Sequence, residues 1–277
     1  MDVSRELEGR GGAVERPDGS QIWTVRGGEG PVRVVFAHGY GVNVDEWNVV
    51  ADALGEVGWL AFDLRGHGRS TIGRDGIEAT TMAADYVAVL EHHEVHDAVL
   101  VGHSTGGFLA IRMLLDHPAV ARERLRGCVL VATFAGDVNR RNPQNRIQIP
   151  LIQSGLLIRA LGWSPIARAF VRSLCGPDFD EAYVEGMIRP FLRAQHRALV
   201  PLLHALGHES DYPRLGAIEL PCVILVGTHD RTTPAFHAED MHRGIVGSRL
   251  RRLEGKGHLL NWEAPEVVVE EIRRLLA

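Results

Sequence analysis

The residues that decide the fold are AVLVGHSTGG at positions 98–107, where an apolar run meets a G-x-S-x-G turn centred on Ser104. The run predicts a buried strand, and the apolar spacing over residues 108–115 predicts a helix after the turn. Side chains two positions before and after the serine would collide at so sharp a turn, and Gly102 and Gly106 remove those collisions. Ser104 then lies at a helix N-terminus, where unpaired N–H groups favour developing negative charge. The pattern predicts a nucleophilic serine; the alternative is a glycine-rich turn with a chance serine.

Strands and helices alternate on both sides of this turn. Strands are predicted at residues 32–37, 59–62, 98–101, 127–133, 222–226 and 249–253, and helices at 45–54, 80–91, 234–243 and 265–276. Thr80 is the expected N-cap of its helix, residues 21–26 form an edge strand, and residues 1–12 resemble a frayed end or a tag. Alternation with near-continuous apolar strands predicts an α/β fold: a mostly parallel central sheet with helices on both faces.

The alternation stops between residues 135 and 216. This stretch has helical apolar spacing without a convincing strand, and several prolines divide it into short helices. We predict a core formed by residues 13–134 and 217–277, with an inserted α-helical cap at 135–216. The cap is expected over the carboxyl ends of the strands, where such sheets place their sites, and to enclose a mostly apolar pocket.

Composition limits the partners. The chain has 277 residues, of which 45% are hydrophobic and 23% charged, and its net charge of −5 comes without a dense basic patch, so nucleic acid is not an expected partner. No run is long enough for a membrane span, and the N-terminus lacks the apolar core of a signal peptide. Three cysteines without a C-x-x-C pair favour a reducing compartment. We therefore expect a cytoplasmic protein and leave its oligomeric state open.

A serine hydroxyl is a weak nucleophile and needs a base in contact with it and a third group to orient that base. Asp230 follows a predicted strand in the stretch VGTHD, and His258 follows the next strand in GKGH. The chain order Ser, Asp, His is the one that the G-x-S-x-G turn predicts. Asp230 as a mere helix cap is the alternative, with Asp137 then the candidate acid.

These pieces together resemble the α/β-hydrolase superfamily, over essentially everything after residue 20. They are HGYG at 38–41, DLRGHGRS at 63–70, GHSTGG at 102–107, Asp230 and His258. The resemblance implies a serine esterase or lipase-like member with Ser104 as nucleophile, His258 as base and Asp230 as orienter. It also implies an oxyanion hole formed by the backbone N–H groups of Tyr40 and Thr105. His38 and His103 are expected to support the site rather than to react.

The nucleophile narrows the chemistry that the resemblance allows. Family members that open epoxides or remove halide use aspartate where this chain has Ser104, so hydrolysis of a small to medium hydrophobic carboxylic ester is the leading prediction. Carbon–carbon bond hydrolases usually carry Asn and Trp where this chain has His103 and Leu259. A hydrolase-like receptor or regulator of a small hydrophobic ligand is the alternative from another class. Peracid or haloperoxidase chemistry stays open as a side activity.

No cofactor and no metal are predicted. EHHEVH at residues 91–96 looks metal-like, but the second histidine of a zinc motif is replaced by Asp97, which favours a solvated helix end. Gly39-Tyr40-Gly41 follows a strand, yet residue 44 is valine, so the three-glycine dinucleotide fingerprint fails.

Overall fold

The computed structural model describes residues 2–277 and contains one eight-stranded sheet. The strands are β1 Arg10–Glu15, β2 Gln21–Gly27, β3 Glu29–Ala37, β4 Val57–Phe62, β5 Ala98–His103, β6 Leu125–Val131, β7 Cys222–Gly227 and β8 Arg249–Leu253. Their order across the sheet is β1-β2-β4-β3-β5-β6-β7-β8. Both pairings of β2, with β1 and with β4, are antiparallel, and all the others are parallel, which confirms the mostly parallel sheet.

Helices cover both faces of this sheet. They are α1 Asn48–Leu54, α2 Ala79–His92, α3 Thr105–Asp116, α4 Pro118–Arg124, α5 Pro143–Gln153, α6 Leu156–Leu161, α7 Ser164–Leu174, α8 Ala182–Arg193, α9 Val200–His208, α10 Ala235–Gly244, α11 Leu260–Glu263 and α12 Pro265–Leu276, with 3₁₀ turns at Val44–Trp47 and Tyr212–Ala217. Within residues 2–277, none of them has the length and apolar character that a bilayer span requires.

Strand β5 shows how the two layers arise from the sequence. Successive side chains of a strand point to opposite faces, so Val99 and Val101 pack in one apolar cluster and Leu100 in the other. The first cluster includes Ile272 of α12, and the second includes Phe108 of α3. An apolar run with no polar face therefore folds as a central strand, because both of its faces are buried.

Five helices, α5 to α9, fill the chain between β6 and β7, in agreement with the predicted helical character of this stretch. The prolines divide this stretch only in part. Pro143, Pro165 and Pro201 lie in the first turns of α5, α7 and α9, where a missing N–H leaves no helical bond unmade. Pro150 and Pro190 lie inside α5 and α8. Prolines begin three of these helices and interrupt none of the five.

The expectations of a frayed N-terminal segment and of an edge strand at residues 21–26 were wrong for the residues that the structure describes. Residues 10–15 form β1, which pairs along its whole length with β2, so residues 21–27 are not at the edge of the sheet. Val3 and Leu7 are buried. A Cβ on Gly11 would lie 2.3 Å from the Trp23 ring, so the ring packs directly on the glycine backbone. Pairing and this aromatic contact order a segment whose own sequence has little strand character.

Two predicted boundaries also shift. Helix α2 begins at Ala79 and its N-cap position is Glu78, whose side chain makes no capping bond, so Thr80 is inside the helix. The strand predicted at 127–133 is β6 at Leu125–Val131, because Ala132 has a φ of 43° and cannot continue the extended backbone.

Candidate active site

The predicted site residues follow four strands at one edge of the sheet. Tyr40 follows β3, Ser104 follows β5, Asp230 follows β7 and His258 follows β8. Strands β3 and β5 are neighbours in the sheet although β4 lies between them in the chain. Connections therefore leave in opposite directions on either side of this pair, which opens a crevice at the carboxyl ends of the strands.

Ser104 occupies a strained turn between β5 and α3. Its φ of 49° and ψ of −116° lie outside the regions that residues with a side chain prefer. A Cβ on Gly106 would lie 2.4 Å from the carbonyl oxygen of Ala37, and one on Gly102 would lie 2.7 Å from the Gly107 Cα. Only glycine fits at both positions, as the sequence predicted.

Backbone bonds hold this turn in place. The Ser104 N–H donates to the Val131 carbonyl at 3.0 Å. The Ser104 carbonyl accepts from the Phe108 N–H at 3.1 Å and from the Thr133 hydroxyl at 2.5 Å. Such over-determination is what allows a strained residue to persist at a functional site.

Asp230 and His258 form a buried pair. Nδ1 of His258 lies 2.8 Å from Oδ2 of Asp230, and the aspartate side chain is completely buried. Oδ1 of Asp230 accepts from the backbone N–H groups of Thr232 and Thr233, and Oδ2 also accepts from the Thr233 hydroxyl. Since the carboxylate only accepts, Nδ1 of His258 carries the proton and Nε2 is left free to accept one. Asp230 thus binds both the histidine and the turn before α10.

Ser104 and His258 line the same cavity, together with Tyr40 and Thr105. No hydrogen bond joins the serine and histidine side chains within residues 2–277. In apo enzymes such a contact is often long and tightens only with substrate. The backbone N–H groups of Tyr40 and Thr105 donate to no acceptor in the described part of the chain. That of Thr105 is the first of helix α3, where no intrahelical acceptor exists.

The cavity has a volume of about 110 Å³, below the ~300 Å³ at which typical ligand pockets begin. Most of its wall is apolar and comes from α5 to α9 and the strand ends: Phe134, Val138, Ile149, Ile152, Phe170, Leu174, Met187, Phe191, Leu203 and Leu206. Asn145 and Gln148, one turn apart on α5, add two amides. A larger groove of about 550 Å³ runs between the N-terminal segment and α8, and Ser104, Asp230 and His258 do not line it.

The two supporting histidines are both buried, but their environments differ. His38 donates from Nδ1 to the Gly39 carbonyl at 2.7 Å and accepts the Leu64 N–H at Nε2 at 2.9 Å, and burial lowers its pKa well below the usual value. Burial also opposes the charged form of His103, but the Glu46 carboxylate outweighs it and raises the pKa of this ring. His38 is thus a neutral link between the ends of β3 and β4, whereas the Glu46 carboxylate favours the charged form of His103.

Sequence reasoning missed Glu46 and Thr233. Glu46 lies in the 3₁₀ turn after β3, is buried, and binds both the Gly39 N–H and the His103 ring. An acidic residue in the first turn of a helix usually indicates a solvated N-terminus, so nothing local distinguishes it. Thr233 had a weak signal: an aspartate followed by hydroxyl residues is typical of a turn closed by its side chain. Asp137, the alternative acid, makes no side-chain bond to His258 among the described residues.

Comparison with known proteins adds four findings. A non-heme chloroperoxidase of Streptomyces lividans is 38% identical over 282 residues, covering 93% of this chain and 96% of the relative. The solved esterase of Exiguobacterium antarcticum matches with a TM-score of 0.82 at 23% identity, covering 96% of this chain and 99% of that one. A bromoperoxidase from Bacillus anthracis matches with a TM-score of 0.84 at 20% identity, with the same coverage. The sequence model of the alpha/beta hydrolase family matches residues 34–271, and the chain belongs to this family.

Proposed function

We propose that this protein is a serine hydrolase that cleaves small to medium hydrophobic carboxylic esters through an acyl-enzyme. The observation that carries the proposal is the buried pair of Asp230 and His258, which leaves Nε2 of the histidine free to accept a proton at the cavity that Ser104 also lines. Membership of the alpha/beta hydrolase family supports hydrolytic chemistry at this edge of the sheet.

In the acylation half, the Ser104 hydroxyl oxygen attacks the ester carbonyl carbon while Nε2 of His258 takes the hydroxyl proton. The developing imidazolium is stabilised by Asp230, which keeps Nδ1–H oriented at 2.8 Å. Negative charge on the former carbonyl oxygen is met by the unpaired N–H groups of Tyr40 and Thr105. The imidazolium then protonates the departing alcohol oxygen as the carbon–oxygen bond breaks, leaving the acyl group on Ser104.

In the deacylation half, His258 takes a proton from a water molecule whose oxygen attacks the acyl carbon. The same two N–H groups stabilise the second tetrahedral intermediate. Collapse of this intermediate returns the proton to Ser104 and releases the carboxylic acid. Every proton transfer uses a group already at the cavity, so the proposal requires no cofactor.

Residues 135–216 are proposed as a cap that selects substrates, since their apolar side chains form most of the cavity wall. They also contact the reacting loops directly. The His258 N–H donates to the Leu174 carbonyl at the end of α7 at 2.6 Å, and the Tyr40 hydroxyl bonds to Nδ1 of His196 at 3.1 Å. The small apolar space favours a short acyl chain or a compact alcohol over a long lipid chain.

Hydrolysis of p-nitrophenyl butyrate by the wild-type protein and by Ser104→Ala tests the proposal. Changing one member of such a triad removes up to about a millionfold of kcat, so the variant should fall to background with its circular dichroism spectrum unchanged. A fluorophosphonate probe should label the wild-type protein at Ser104 alone. Labelling at another serine would refute the assigned nucleophile. A burst without steady turnover would favour the ligand receptor over the enzyme.

A second activity is favoured by the relative named as a non-heme chloroperoxidase, at 38% identity over nearly the whole chain. We propose that hydrogen peroxide can replace water in deacylation: its oxygen attacks the acyl carbon, His258 takes its proton, and a peracid leaves. The peracid could then oxidise halide in solution without a metal or haem. Adding peroxide and bromide during ester turnover should brominate monochlorodimedone in the wild-type protein and not in Ser104→Ala.

A further inference from the structure

The buried carboxylate of Glu46 connects two loops that the proposed reaction uses. Its Oε2 accepts the Gly39 N–H at 2.9 Å, and its Oε1 lies 2.9 Å from Nδ1 of His103. Nε2 of His103 lies 3.0 Å from the backbone carbonyl oxygen of His258. One continuous chain of hydrogen bonds therefore runs from the turn that precedes the Tyr40 N–H to the loop that carries the proposed base.

The backbone of Glu46 is also bound by the segment that follows His258. Its carbonyl oxygen accepts from Nδ2 of Asn261 at 2.9 Å and from Nε1 of Trp262 at 3.0 Å. Both donors lie just after His258, in α11. The acid is thus joined to the loop of the base through its side chain and, independently, through its main chain.

The partners also determine the protons on His103. The His258 carbonyl can only accept, so Nε2 of His103 donates to it; the Glu46 carboxylate can only accept, so Nδ1 donates as well. Both ring nitrogens are protonated, and the ring charge is balanced by Glu46 in a nearly inaccessible environment. A buried charged pair of this kind tolerates few relative positions of its two side chains, because a displacement leaves an unpaired buried charge.

We infer that Glu46 is a positioning residue for the proposed ester hydrolysis: through Gly39 and His103 it fixes the Tyr40 N–H relative to the His258 ring. The inference rests on the proposed function. Hydrogen bonds from an oxyanion hole strengthen as charge develops, so an error in their position lowers kcat more than it changes KM. A buried acid with only a structural role would change stability and leave kcat per folded molecule unaltered.

The decisive comparison is Glu46→Leu against Glu46→Gln. Leucine removes both side-chain bonds. Glutamine can keep them, because its carbonyl can accept the Gly39 N–H and its amide can donate to Nδ1 of a neutral His103, which still donates from Nε2. For p-nitrophenyl butyrate we expect Glu46→Leu to lose about a hundredfold in kcat, the scale of a 1 Å misplacement, with KM within about twofold. Glu46→Gln should keep kcat within about tenfold of wild type, and rates of fluorophosphonate labelling should follow the same order.

Glu271→Leu is the matched control. Glu271 is a fully buried acid on α12 that pairs with Arg251 and Arg274, and it does not line the cavity. We expect it to lower the thermal midpoint and to leave kcat per labelled active site unchanged. If Glu46→Leu does not fold, Glu46→Asp replaces it, since its carboxylate is one methylene too short to bridge both partners and should also lose kcat.

The inference is overturned if Glu46→Leu or Glu46→Asp keeps wild-type kcat per labelled site, or if Glu46→Gln loses as much as Glu46→Leu. A change confined to KM would also overturn it. These outcomes are separate from failure of the proposed function, which would appear as turnover that survives Ser104→Ala whatever the Glu46 variants do.

Discussion

Replacing Asp230 by asparagine exchanges one carboxylate oxygen for an NH₂ group. This change should move the proton of the neutral His258 ring from Nδ1 to Nε2. Oδ1 accepts two backbone N–H groups, those of Thr232 and Thr233, at 2.8 Å each. The amide oxygen of asparagine must keep that position, because an NH₂ group there would face two donors. The NH₂ group then faces Nδ1 of His258, which can accept it only by losing its own proton.

The histidine proton consequently moves to Nε2, the atom that accepts the proton of Ser104 in the proposed mechanism. A triad acid changed in this way elsewhere costs about ten-thousandfold in kcat. At about 1.36 kcal/mol per factor of ten, this corresponds to ~5.4 kcal/mol of transition-state stabilisation. The fold should be little affected, since each bond to Asp230 keeps a counterpart. The assay is kcat/KM for p-nitrophenyl butyrate, with ¹⁵N NMR of the His258 ring to identify the protonated nitrogen.

Asp137→Asn provides the comparison. Asp137 has a φ of 44°, which asparagine tolerates, and its backbone bond to the Glu209 carbonyl does not involve the side chain. This variant should keep wild-type kcat/KM. The reasoning is refuted if Asp137→Asn is inactive and Asp230→Asn is active, because the orienting acid would then follow β6 instead of β7.

Three further outcomes are expected. For p-nitrophenyl esters from acetate to palmitate, kcat/KM should rise by up to several-fold per methylene, peak near butyrate and then fall. Phe170→Ala should move this peak to longer acyl chains. A flat profile would exclude an enclosed pocket. Burial lowers the pKa of His67 to about 4, so below its unfolded pKa of about 6.5 the unfolded state alone binds a proton. The free energy of unfolding should therefore fall, through this residue, by about 1.4 kcal/mol per pH unit from pH 6.5 to 4, and urea titrations of His67→Phe should show a shallower fall. Gly106→Ala should unfold at markedly lower temperature because its Cβ would meet the Ala37 carbonyl, whereas Gly12→Ala, in open space, should not.

Sequence alone was sufficient for the parallel part of the sheet and for the turn at Ser104. A strand buried on both faces must be apolar throughout, and a strained serine needs small neighbours, so both requirements are local and visible in a few residues. Asp230 and His258 could be assigned because each follows a predicted strand of that sheet. Their hydrogen bond at 2.8 Å agrees with the assignment, but their catalytic roles stay a prediction.

What could not be predicted depends on contacts between distant parts of the chain. Strand β1 exists because it pairs with β2 and lies against Trp23, and its own residues show no apolar alternation. Glu46 is buried because His103, far along the chain, supplies a cation for it. A local pattern contains neither fact, since the same residues in another context would be an exposed end and a solvated acid.

The insertion of α5 to α9 between β6 and β7 also orders events during synthesis. The ribosome completes β3, β5 and the Ser104 turn before the five helices and makes Asp230 and His258 only after them. A nascent chain that has folded its first strands therefore holds a potential nucleophile without a proton acceptor. In the proposed mechanism, reactivity toward esters therefore requires β7 and β8 to join the sheet across that long insertion, a non-local step that is slow relative to helix formation.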